Sequence, residues 1–186
     1  MKTVKVKITG KSPLSFSKYV QEQKLEREGH AEYDLRTWRE RLHYNAKNEV
    51  FIPPMMVKNT LSAAAKYRGE QIPGKGKSNY TKHFEAGVMI TEQMFLGIQK
   101  DDVKMEALYV PSDGKRGGTT RVVKNFPKID EGWSGEITIH ILDDIITRDV
   151  LERHLADAGN FIGLGRFRPR QNGYYGRFDA EIISWE

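Results

Sequence analysis

The 186-residue sequence contains no cysteine, which excludes a disulfide framework, a thiolate metal site and a cysteine nucleophile. No window approaches the roughly 18 consecutive apolar residues of a membrane-spanning helix. The amino-terminal MKTVKVKITG alternates like a strand, where a signal peptide would carry a continuous apolar run. A soluble, cytoplasmic protein with no membrane partner is expected. The acidic pairs do not have the D-x-D-x-D spacing of a calcium loop, and neither a metal nor a cofactor is expected. A phosphate-loop motif is incomplete: residues 69–76 read GEQIPGKG, with Gly76 where the magnesium-binding Ser or Thr should stand. The segment also leaves a helix and holds a proline, whereas a P-loop joins a strand to a helix, so the pattern argues against a nucleoside triphosphatase.

One stretch has no acid at all. Residues 159–178, GNFIGLGRFRPRQNGYYGRF, hold five glycines, four arginines, two tyrosines and three phenylalanines, with no Asp or Glu. Glycines let a polyanion approach the backbone, guanidinium forks suit phosphates and flat rings suit bases. The plainer reading is a glycine-rich turn whose arginines are solvated. The net charge is only +5, from 30 Lys plus Arg against 25 Asp plus Glu, so distribution matters more than the total. In sequence, Lys58, Lys66, Arg68, Lys75, Lys77 and Lys82 face only Glu70, and Lys115, Arg116, Arg121, Lys124 and Lys128 face only Asp113.

Residues 3–9 place Val4, Val6 and Ile8 on one face, as a half-buried strand requires. A polar excursion follows over about 15–49, in which Leu35, Trp38 and Leu42 have the i, i+3, i+7 spacing of a helix face. Pro53 or Pro54 opens a helix to about Tyr67, with Met56, Val57, Leu61, Ala64 and Ala65 on its apolar side and Gly69 as its cap. Residues 69–84 read as a basic, flexible insertion, with Lys75, Lys77 and Lys82 for phosphates and Tyr80 and Phe84 for stacking. Beyond it, 87–98 is expected to pair with 105–110 across QKDD, and PSDGKRGGTT forms a basic tip over about 111–121, a protruding hairpin or loop. Residues 135–142 alternate, Thr147 caps a helix to Ala158, and 177–185 form the last strand. The order predicts an α+β fold, ferredoxin-like (RNA-recognition-motif-like), with an antiparallel sheet, two covering helices and one domain over 1–186.

With a glycine-rich loop between the second helix and the last strand, this order resembles the RAMP (repeat-associated mysterious protein) superfamily of CRISPR effector and crRNA-processing subunits. FIPPMMVKNTLSAAAKYRG, residues 51–69, is similar to the family's IPGSSLKGALR segment. Lys58 falls on the family lysine and Leu61 on its leucine; Pro54 replaces the glycine, Met55 and Met56 the serines, and Lys66 or Arg68 would serve for the arginine. The resemblance implies the crRNA-binding backbone branch: a non-catalytic protein of a CRISPR or phage/mobile-element system that grips single-stranded RNA, such as a guide, and associates with itself or with other effector subunits. The implied contacts are Lys58, Lys75, Lys77, Lys82, Lys115, Arg116 and Arg121, together with Gly163, Gly165, Arg166, Arg168, Arg170, Tyr174, Tyr175 and Arg177 of the loop. Phe167 and Tyr80 are further stacking rings.

Two other readings stand beside it. A metal-independent endoribonuclease of the processing branch needs a general base and acid. His43, beside Tyr44, and His83, beside Tyr80 and Lys82, lie in polar loop contexts, while His140 and His154 fall on a strand and a helix. Asp34 is the loop carboxylate that a metal-dependent variant would use. The third reading is a phage or plasmid interaction module that works through Trp38 and the charged excursion. The Asp143–Asp144 pair reads as solvated surface.

Overall fold

A computed structural model describes residues 1–115 and 117–186; Arg116, one of the expected contacts, lies outside the described residues. Strand β1 (Lys2–Gly10) alternates as its sequence requires, with Val4, Val6 and Ile8 buried and Lys5 and Lys7 exposed. It lies inside a four-stranded antiparallel sheet of order β4 (Val88–Met89), β8 (Ser134–Ile141), β1, β9 (Phe178–Trp185). Ile137 and Ile139 stand opposite Val6 and Val4, which makes one continuous apolar face. Helix α2 (Pro54–Arg68), from the chain between β1 and β4, and helix α4 (Arg148–Asp157), between β8 and β9, share the core of that face through Val57, Leu61 and Ala64 and through Val150, Leu151 and Leu155. Each such Val or Leu side chain contributes about 1.5–3 kcal/mol when buried. Both helices have the termini their sequences predict. Pro54 opens α2 and Gly69 closes it at φ 58°, and the Thr147 hydroxyl accepts the Val150 amide at the start of α4.

The remaining strands differ from the sequence expectation. Strand β5 (Met94–Gln99) pairs with β3 (Glu49–Ile52), and β6 (Lys104–Pro111) pairs with β7 (Arg121–Ile129), which is flanked on its other side by β2 (Leu14–Ser15). The expected pairing of 87–98 with 105–110 does not form. A 3-10 turn at Lys100–Asp102 redirects the chain, and Met94 and Leu96 are buried against the core beside Ile52. In the excursion, α1 (His30–Thr37) runs into a 3-10 turn at Trp38–Arg41; Trp38 and Leu42 are buried, but Leu35 is 56% exposed. The inward face is Asp34, Thr37 and Trp38 instead. Asp34 sets it, because one carboxylate oxygen accepts the Asn125 backbone and side-chain N–H groups at 2.7 and 2.8 Å and the other accepts Arg41 at 2.8 Å.

Residues 69–84 are also more ordered than a flexible loop. Gln71 bridges to Asn79, and helix α3 (Thr81–Gly87) begins directly after Tyr80. Tyr80 and Phe84 are core residues packed on the His154 ring, so neither is free to stack on a ligand. Glu70 clamps α2 to α4 by bonding Arg68 and, at 2.6 Å, Arg153; the Arg153 hydrogen bond leads in holding its carboxyl down to about 2. Arg68 also meets Asp157 at 2.9 Å, and Lys66 meets Glu85 at 2.6 Å. The acid shortage around these cations in the sequence is thus met by residues from other elements. Among the described residues, no helix is long and apolar enough to cross a membrane.

Candidate nucleic-acid interface

After α4 the chain makes a π turn at Ala158–Ile162 and enters the arginine loop. A Cβ at Gly159 would overlap the Phe178 carbonyl oxygen, one at Gly173 that of Phe167, and one at Gly176 that of Leu164; Gly165, at φ 74°, sits against the Ser15 carbonyl. The glycines therefore let the loop pack on itself and on the Pro13–Ser15 segment. Cross-braces fix it there. Leu164 N–H donates to Gly176 O (2.9 Å), Tyr175 N–H to Phe167 O (3.1 Å), Arg166 N–H to Ser15 O and Gly176 N–H to Pro13 O (both 2.8 Å). The Thr60 hydroxyl of α2 donates to Gly163 O at 3.1 Å.

This frame holds Phe167 in a left-handed conformation, φ 50°, a geometry that costs a non-glycine residue on the order of 1 kcal/mol. It also holds the Arg166 guanidinium between two rings, 3.3 Å from the centre of Phe126 of β7 and 4.2 Å from that of Phe167. Arg41 lies over the same Phe126 ring at 4.9 Å. Nη1 of Arg166 is buried and has no hydrogen-bond partner, as does Nε of Arg168. Burial, with Arg41 adding to it, pulls the Arg166 pKa down to about 10, so the side chain is charged at neutral pH. Buried cations without a partner are costly and gain from a bound anion. Arg166 lines a cleft of about 310 Å³ with Phe16, Lys18, His43, Met56 and Gln171, and no carboxylate lines it.

The other expected contacts fall into separate places. Arg170 is exposed, Tyr174 is 58% exposed, and Arg177 donates through Nε to Asn160 O at 3.2 Å. Tyr175 instead faces β6: its hydroxyl donates to Glu106 at 2.5 Å, and burial together with that carboxylate pushes its pKa up to about 12. Lys58 is committed to the protein, donating to Phe84 O (2.8 Å), Glu85 O (3.0 Å) and the Ser62 hydroxyl (2.9 Å). Its charge satisfies carbonyls in the last turn of α3 and is not presented to a ligand. Lys75 and Lys77 are exposed in the segment that follows α2, Lys82 is exposed at the start of α3, and Met56 in the cleft lies at the amino end of α2. Arg121 lies five residues beyond Phe126 along β7, or about 17 Å, with exposed Lys115 farther out on the tip. None of these five residues lines the Arg166 cleft. Phe16 and Lys18, which line the cleft, and Phe126, which holds Arg166, carry no local sequence signal that marks them.

The catalytic candidates are engaged. Asp34 lies on a helix and both its carboxylate oxygens are taken, so it is no open loop ligand for a metal. His43 sits between Phe16 (5.5 Å) and Phe51 (6.1 Å); burial and the Lys18 charge hold its pKa down to about 4. The imidazole is neutral at neutral pH, a weak base without the imidazolium proton that a general acid gives up. Its neighbour Tyr44 bonds Glu40. His83 contacts Asp143 at 2.5 Å, and Asp143 also accepts the Ile145 amide, so that acid is a clasp between α3 and the end of β8 and not free surface. The open face of the main sheet shows Lys5, Lys7, Glu136, Thr138 and His140; β1 and β8 present no Phe, Tyr or Trp there for the stacking that RNA-recognition motifs use.

No protein-family model and no curated protein sequence matches the chain. A chain in the cryo-EM structure of the Type III-B Cmr-beta bound to cognate target RNA is similar in structure, with a TM-score of 0.55 at 15% identity. The match covers 100% of this chain and 60% of that one, so this protein spans less than two thirds of its neighbour's length. The crystal structure of Cmr6 from Pyrococcus furiosus aligns with a TM-score of 0.47 at 12% identity, over 96% of this chain and 97% of that one. What the chain shares with that Cmr-beta chain is the fold.

Proposed function

We propose that this chain is a non-catalytic RNA-binding subunit of a CRISPR effector, which grips a single RNA strand in the cleft between the arginine loop and the start of α2. The observation that carries this reading is Arg166, a charged guanidinium fixed between Phe126 and Phe167 that lines a cleft without a carboxylate. A phosphate oxygen is the ligand such a group suits. Lys18, Arg168 and Arg170 would share the phosphates, Phe167 and Tyr174 would stack on bases, and Gly163 and Gly165 shape the loop. The outlying Lys75, Lys77, Lys82, Lys115 and Arg121 add a long-range field that draws in the polyanion. The sheet order β4-β8-β1-β9, with α2 and α4 at the two crossovers, supports the ferredoxin-like arrangement. The remaining parts are read as insertions at 15–49 and 69–84 and a tip at 111–121 of a single domain. The likeness in fold to a chain of an assembly that holds target RNA supports a cytoplasmic role alongside other subunits or copies. The weak basicity of His43 and the occupied oxygens of Asp34 weigh against the nuclease readings.

The test is titration of labelled single-stranded RNA across a salt series. Four phosphate contacts give a log–log slope of about −3 for a single strand. A flat salt response, or unchanged binding after Arg166→Ala with Arg168→Ala in a protein that still unfolds cooperatively, overturns the reading. RNA cleavage that disappears in His43→Ala or His83→Ala overturns its non-catalytic part.

A further inference from the structure

Tyr67, in the last turn of α2, and Phe161, in the π turn after α4, stack on each other on the protein surface. Their ring centroids are 5.1 Å apart at an interplanar angle of 28°, yet Tyr67 is 60% and Phe161 48% exposed. Two rings brought together by elements so distant in sequence, and left half in water, gain little as core. They border a groove of about 570 Å³ in which the charged lining residues are Lys66, Arg170 and Arg177, with no carboxylate. Arg170 has no ion pair or hydrogen bond among the described residues, and the Lys66 pair with Glu85 is a surface contact, of the kind worth little in water. The short 3-10 turn Pro169–Gln171 lies between the groove and the Arg166 cleft: Arg170 lines the one and the next residue, Gln171, lines the other. The two ends lie some eleven residues apart on α2, from Met56 to Tyr67, or about 17 Å.

From this juxtaposition we infer a second nucleic-acid subsite: the Tyr67–Phe161 stack receives an unpaired base, and Arg170, Arg177 and Lys66 hold the flanking phosphates of a strand that has crossed the Pro169–Gln171 turn from the Arg166 cleft. The inference rests on the RNA-binding reading and extends its path along α2. A single strand suits the site because aromatic faces accept any base while the cations follow the backbone. A protein partner would more naturally meet exposed rings with complementary acids, and the charge here is all of one sign.

The test compares wild type, Tyr67→Leu with Phe161→Leu, and Tyr67→Phe, using a single-stranded RNA of about 12 nucleotides that carries 2-aminopurine at internal positions. The double variant should lose about tenfold in affinity with the salt slope unchanged, since stacking releases no counterions. Quenching of 2-aminopurine at one position should disappear with it, and Tyr67→Phe should retain both. Equal binding and quenching in wild type and the double variant, with wild type binding RNA, removes this subsite and leaves the Arg166 reading standing. If the double variant binds RNA normally but loses self-association by light scattering, the rings are a protein contact and the subsite is wrong. If wild type binds no RNA at low salt, the underlying reading itself fails, and this inference falls with it.

Discussion

Two of the basic, glycine-bearing loops put their glycines to different work. At 74–77, GKGK, Gly74 and Gly76 have φ of 74° and 59°, and a Cβ on either would meet nothing within 4 Å. In the arginine loop, Gly159, Gly173 and Gly176 lie where a side chain would strike backbone. One loop uses glycine only to turn; the other uses it to pack, and by packing it gives Arg166 a fixed place. The lysines of the first loop are exposed points of charge, whereas the arginine of the second is pre-positioned between rings. A preorganised cation loses less on binding, so the packed loop is the better candidate for a specific grip and the open one for steering.

The largest expected effect separates the two loops directly. Gly176→Ala should cost at least about 3 kcal/mol in urea unfolding, through a strained φ and a backbone clash, while Gly76→Ala should cost about 1 kcal/mol, the left-handed penalty alone. Equal losses would mean that the arginine loop is not packed as described.

Next is acid sensitivity near the cleft. His43 has a folded value of about 4 against the usual 6.5, so the unfolded chain takes up the proton first. Its contribution is full above pH 6.5 and is lost as pH falls towards 4. His154, also lowered by burial, acts in the same direction, so the measurement is the difference between wild type and His43→Gln in stability against pH. Glu70, held to about 2 from 4.5, loses its contribution only below pH 4.5 and should leave the upper window unchanged in Glu70→Gln.

A smaller effect tests binding. Arg166→Gln should weaken single-stranded RNA binding at least tenfold, about 1.4 kcal/mol, whereas Lys75→Gln with Lys77→Gln should weaken it less than threefold and mainly slow association at low salt. The reverse order would move the grip to the lysine loop. Least of all, Tyr174→Ala should cost about 1 kcal/mol, the low end for one stacked base, with stability unchanged.

Much of the fold was legible because it depends on short-range patterns. The alternation of Val4, Val6 and Ile8 and the caps at Pro54, Gly69 and Thr147 need only neighbours to be read. Strand partners were less legible: β5 has the composition to pair with either β3 or β6, and a three-residue turn at 100–102 decides between them. Apolar spacing alone puts Leu35 on the inward face, whereas Asp34 controls that face through Asn125, 91 residues away. Within the site, the arginine loop stood out by composition, but its partners Lys18, His43 and Phe126 have no motif that links them.

The sequence by itself determined the local elements, the lack of thiol chemistry and the concentration of arginine at 159–178, because each is a matter of residue type and near-neighbour period. Only the tertiary structure decided which cations are free. Lys58 is spent on the carbonyls of Phe84 and Glu85 and Arg68 on Glu70 and Asp157, whereas the Lys66–Glu85 pair is an exposed surface contact. Arg166, wedged between Phe126 and Phe167, keeps a buried N–H without a partner. Whether a charge is paired depends on what folding brings within a few ångströms of it, and no reading of neighbours along the chain contains that distance.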